Sequence, residues 1–158
     1  AQGYLAPAPA GIDARAGWKL RGGRGEHLWL GVVATSLTRR HEDLPKDRID
    51  QVGRDDADPA TSATLGVVIA SDNHSGMTGI APAIARTTVS NASGTSLAEA
   101  IEAAAHGLRA GDVLLIDVDG VSEGRRVPAE YWGSVFAVIQ RATDRGVIVV
   151  EAAGAGAR

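Results

Sequence analysis

The sequence contains no cysteine. Disulfides, thiolate metal sites and a cysteine nucleophile are excluded, and the redox compartment is left open. Aromatic residues are scarce, with three Trp, two Tyr and one Phe making up 4% of the chain. Such a chain offers few platforms on which bases could stack. There is no basic run and the net charge is -3, so nucleic acid is not expected as a partner. The small cluster Lys19, Arg21, Arg24 lies in a glycine-rich stretch and reads as a solvated loop. No apolar run approaches a membrane span, so no membrane is expected either. The chain opens Ala1-Gln2-Gly3 without Met, as expected of a processed or trimmed product, and no signal peptide is visible.

What remains is ordinary for a globular domain: 158 residues, 44% apolar and 22% charged. That length suits one domain with a real core. Alanine and 20 glycines imply tight packing on small side chains.

Residues 1–26 are rich in Pro and Gly and are expected to be an irregular segment packed on the domain, with Trp18 and Leu20 tucked against it. Residues 27–158 read as an α/β domain. Strands are expected at Leu28–Ala34, Arg48–Val52, Ile84–Val89, Val113–Val118 and Val147–Val150. A turn is expected at His41–Pro45, where Pro45 biases Leu44 away from helix. Asp55-Asp56-Ala57-Asp58-Pro59 looks like a helix start, followed by a helix over 60–70. Asp72–Gly76 reads as a loop. Ser96-Leu97-Ala98-Glu99 is a capping box opening a second helix, with Leu97, Ile101, Ala104, Ala105 and Leu108 at helical spacing and Gly111 at the exit. Pro128 opens a third, with Trp132, Val135, Phe136, Ile139 and Ala142 on one face. Residues 119–127 read as a long charged loop. Strands alternating with helices, in continuous apolar runs, predict a parallel sheet with helices on both faces.

Taken in order, several segments resemble the subtilisin-like serine peptidases over nearly the whole chain. Ala8–Ala14 with Trp18 resembles the opening segment of a bacterial branch of that family. His41-Glu42-Asp43-Leu44 resembles the segment after the strand of the catalytic Asp. Asp72-Asn73, Gly76 and Gly79-Ile80-Ala81-Pro82 resemble the stretch after the catalytic His helix. Val127–Glu130 and Val149–Gly156 resemble the later helix start and the strand before the oxyanion-hole turn. The fold implied is the N-terminal half of a subtilase, and a secreted location is favoured by the resemblance alone.

The residues that carry the family's chemistry are missing. Its catalytic Asp falls on Val32, its His on Ala60 and its oxyanion-hole Asn on Ala155, and the sequence stops at Arg158 before the segment of the nucleophilic Ser. The base needs an imidazole and the Asp fixes its tautomer. An oxyanion-hole amide alone is worth roughly 10²–10³ in rate. Val and Ala supply none of these. The expectation is a pseudoenzyme: a domain inactive as a peptidase that binds a peptide or small-molecule ligand in a remnant substrate cleft. The resemblance implies cleft walls at Val118, Asp119 and Gly120 on one side and at Ala152, Ala153 and Gly154 on the other. Exposed backbone there suits strand addition by an extended peptide.

Asp117, Asp119 and Glu151 lie near the C-terminal ends of two strands expected to be close, and His74 lies in a loop beside Asp72 and Asn73. Asp117, Glu151 and His74 are the acid/base candidates, against the blander reading of solvated strand ends. None of the four histidines (His27, His41, His74, His106) has a metal-ligand spacing, and Gly22–Gly25 lacks the strand and helix of a phosphate cradle. No cofactor or metal is expected. Two other functions stay open: a non-proteolytic enzyme such as a cyclase, reusing an apolar cleft, and a fragment of a serine endopeptidase completed by another chain. The last strand is expected to leave an unpaired edge, implying a homo-oligomer or a partner chain.

Overall fold

A computed structural model describes residues 2–35, 41–54 and 59–154. Five parallel strands form the sheet: β1 (Trp29–Ala34), β2 (Ile49–Val52), β3 (Arg86–Asn91), β4 (Val113–Ile116) and, last in the chain, β7 (Ile148–Glu151). Their order is β2-β3-β1-β4-β7. A separate antiparallel hairpin, β5 (Gly120–Ser122) with β6 (Arg125–Val127), stands between β4 and β7 in sequence. Among the described residues four α-helices accompany the sheet: the short α1 (Ala14–Gly17), α2 (Pro59–Ile69), α3 (Leu97–Ala104) and α4 (Gly133–Asp144). The α/β architecture expected of the sequence is what the chain forms.

Strand pleating divides the core in two. Val33, Leu114 and Ile116 face α3 and α4 and pack with Ile101, Val135, Ile139 and Ala142. Leu30, Val32 and Ala34 face the other way and pack with Leu65 and Ile69 of α2. Gly31 is what lets α3 lie so close to β1, because a Cβ there would sit 2.4 Å from the Ala104 carbonyl oxygen.

The two faces are covered unequally. Among the described residues two helices, α3 and α4, cover one, and a single helix, α2, covers the other. On that face Val113 and Leu115 are partly buried, and Ile148 and Val150 are 54% and 49% exposed. Register sets these four side by side, Val113 opposite Ile148 and Leu115 opposite Val150.

Several boundaries differ from expectation. α3 stops at Ala104, and Gly107, at φ +81°, turns the chain well before Gly111. The last helix begins at Gly133 after a 3-10 turn at Ala129–Tyr131. Its buried face is therefore Val135, Val138, Ile139 and Ala142, while Phe136 is 51% exposed. The third strand is Arg86–Asn91, two residues later than the apolar run suggests. The helix start at Asp55–Asp58 lies outside the described residues.

The N-terminal segment is held by side-chain bonds to one stretch. Tyr4 Oη donates to the Thr78 carbonyl and Trp18 Nε1 to that of Ile80, while Leu5 is buried. Leu20 is 70% exposed and does not tuck in. Asp112 has a structural role that the sequence did not signal. Its buried carboxylate accepts from the Trp29 and Arg109 amides, tying the start of β1 to the start of β4.

Candidate functional site

From β1 the chain runs toward β2, at one edge of the sheet; from β4 it runs to β7, at the other. The crevice beyond the C-terminal ends of β1 and β4 is thus a topological switch point, where α/β sheets generally take ligands. A cleft of about 550 Å³ opens there. Thr35 after β1, Asp117, Val118 and Asp119 after β4, and Ala152 after β7 line it. Val121 and Arg126 of the hairpin close one side.

Where the sequence predicts a long charged loop over 119–127, the chain forms this hairpin. Its turn is Glu123-Gly124, at φ +50° and +76°, the paired positive values of a two-residue hairpin connection. Glu-Gly carries this signal more weakly than Asn-Gly. The hairpin is held in place by an ion pair from Arg126 to Asp119, whose side chain is largely buried. It is also held by Gly154, where an added Cβ would meet the Arg126 carbonyl oxygen at 3.2 Å.

The two expected walls meet in part. Val118, Asp119 and Ala152 share the cleft. Gly120 instead borders an adjoining apolar pocket of about 310 Å³ with Leu97, Trp132 and Val135. Trp132 fills the space where a side chain at Gly120 would be, since an ideal Cβ would lie 1.7 Å from the indole. Ala153 is exposed beside the cleft. Among the described residues, the backbone groups of Val118, Asp119 and Ala153 make no hydrogen bond. By contrast the amides of Asp117 and Ala152 are spent on Val33 and Ile116.

The acid/base candidates are not brought together. Ile116 pairs with Glu151 in the sheet, and both lie on the face of α3 and α4. Asp117 follows one residue later, and the pleat sends it to the opposite face. Glu151 is partly buried: its two carboxylate oxygens are out of solvent, and among the described residues neither meets a donor of good geometry. Burial pushes its pKa up, the neighbouring Glu130 charge pushes it further, and the Glu130 backbone offsets part of the effect. His74 lies at the other end of the sheet, in an exposed loop whose Asp72 pairs with Arg24 upstream of β1. Among the described residues no histidine lines the cleft.

Of the three positions that replace the family's catalytic residues, Val32 is buried in the core beneath α2. Position 60 falls in the first turn of α2, so its backbone lies on the same face of the sheet as Val32. Ala155 lies outside the described residues. Among the described residues no group of three His, Cys, Asp or Glu is placed to hold a metal, and no helix is long and apolar enough to cross a membrane. No protein-family model and no curated protein matches the chain.

Proposed function

We propose that this domain is a binding module, inactive as a peptidase, that takes an extended peptide or small ligand in the cleft beyond β1, β4 and β7. The observation that carries this reading is the unpaired backbone of Val118, Asp119 and Ala153 along a cleft at the switch point. A strand laid there gains main-chain hydrogen bonds on both sides. The resemblance to subtilases, and the replacement of their catalytic residues by Val32, Ala60 and Ala155, supports the same reading. A non-proteolytic enzyme is less well served. Such chemistry wants a closed apolar pocket with one accessible carboxylate, whereas this cleft is open, Asp119 is ion-paired and Glu151 is not among the residues that line it.

Broad fluorogenic peptide substrates should show no turnover, and turnover blocked by a serine-directed inhibitor would refute the reading. Extended peptides screened by fluorescence polarisation should include binders, and Ala153→Pro, which removes an amide donor, should weaken them by about ten-fold. A library with no binder would refute the peptide-binding part.

We also propose that the β7 edge takes a second copy. The far edge is guarded: β2 is Ile-Asp-Gln-Val, with Asp50 paired to Arg86 and Pro45 just upstream. β7 presents Ile148, Val149 and Val150 with no charge among them. A two-fold antiparallel pairing sets Ile148 of each copy against Val150 of the other, a self-complementary contact. Each half-exposed side chain contributes roughly 1 kcal/mol on burial, which must offset an association cost of at least ~4 kcal/mol. The dimer expected is therefore weak and concentration-dependent.

A further inference from the structure

The cleft beyond β1, β4 and β7 holds a charge that the fold itself does not use. Its lining carries two acids, Asp117 and Asp119, and one base, Arg126. Asp119 and Arg126 offset each other as an ion pair, which leaves Asp117 uncompensated. Asp117 is half-buried, and its carboxylate makes no hydrogen bond or ion pair among the described residues. Its oxygens are open to the cleft, unlike the buried pair of Glu151.

Neither packing nor capping accounts for an acid at this place. On the α2 face of β4 the row Val113, Leu115 is apolar, and Asp117 ends it. It caps no helix, because the hairpin follows and the next helical turn opens only at Ala129. The buried acids Asp43 and Asp112 are satisfied from within, Asp43 by the Met77 amide and Asp112 by those of Trp29 and Arg109. A partly desolvated carboxylate without a donor is costly, and a cation brought by a ligand offsets that cost. An extended peptide turns alternate side chains to the floor of its groove, so one of them reaches Asp117 while the main chain pairs with Val118, Asp119 and Ala153. Resting on the reading of this cleft as a peptide site, we propose that its ligands carry a basic side chain, lysine or arginine, that pairs with the Asp117 carboxylate and is selected by it. Arg126 is held by Asp119 and leaves Asp117 to the ligand.

Fluorescein-labelled heptapeptide pools, followed by fluorescence polarisation at physiological ionic strength, test the selection. The central residue is Lys, norleucine (the same stem without the charge) or Glu, and the other positions are randomised among uncharged residues. The Lys pool should bind about five-fold or more tighter than the norleucine pool, the effect of one charge-assisted hydrogen bond, and the Glu pool should bind weakest. Asp117→Asn keeps the shape and removes the charge, so in that variant the ratio of Lys to norleucine affinity should fall to about one. A merely structural role for Asp117 would weaken both pools alike and leave the ratio standing. Equal binding of the Lys and norleucine pools, tighter binding of the Glu pool, or a ratio unchanged in Asp117→Asn overturns the basic preference while the peptide site itself stands. Binding of no pool at all overturns both.

Discussion

At the scale of single residues, two glutamates behave in opposite ways. Glu99 accepts from the hydroxyls of Thr95 and Ser96 and from the Ser96 amide, and these bonds lower its pKa to about 2. Its contribution is present above the ordinary glutamate value of 4.5 and is lost as pH falls toward 2. Glu151 is the reverse. Its folded-state pKa is raised by burial and by Glu130, so the folded state holds the proton more tightly than the unfolded chain. Stability falls as pH rises from the ordinary value of 4.5 through the raised one. We therefore expect Glu151→Gln to be more stable than the parent at pH 8, with the gap closing near pH 4.5; thermal unfolding across that range checks it. Ser96→Ala should cost about 1 kcal/mol through the lost cap, measurable by urea denaturation. The capping box was legible in four residues because it is local chemistry. The isolation of Glu151 was not, because nothing in Val149-Val150-Glu151 says that residue 130 folds over it.

Among the elements, the hairpin is the part of the cleft that sequence reasoning missed. It needs Gly120 for the close approach of Trp132, and Gly124 for its positive φ. Gly120→Val should displace Trp132, open the adjoining apolar pocket and shift the indole emission, while costing on the order of 1–3 kcal/mol for overpacking. An unchanged emission spectrum would argue against that contact. The last helix teaches the same lesson by a different route. Apolar residues at 132, 135, 136, 139 and 142 fit a helical stripe, yet the 3-10 turn before Gly133 rotates the helix. Val138 goes inward and Phe136 outward. Periodicity finds the helix; it does not say which of two overlapping stripes a preceding turn will select.

For the whole molecule, the unequal cover of the sheet is the dominant feature. Among the described residues one helix covers this face of five strands, and it ends in the exposed pair Ile148 and Val150 beside Val113 and Leu115. If a second copy covers this edge, sedimentation equilibrium should show mass rising with concentration, and Val150→Lys should abolish the rise by charging the contact. A strictly monomeric parent at high concentration would exclude the self-pairing.

The sequence alone determined the class of fold: alternating strands and helices with continuous apolar runs leave a parallel sheet as the economical way to bury them. It also determined the capping box and the turn at Pro45, since both rest on neighbours a few residues apart. Only the tertiary structure decided which residues meet. It joined Val118 and Asp119 to Ala152 and Arg126, put Asp117 and Glu151 on opposite faces, and carried His74 to the far end of the sheet. The reason is physical: contacts between distant segments follow from strand order, pleat and register, and a one-residue change of register turns a side chain from one face to the other.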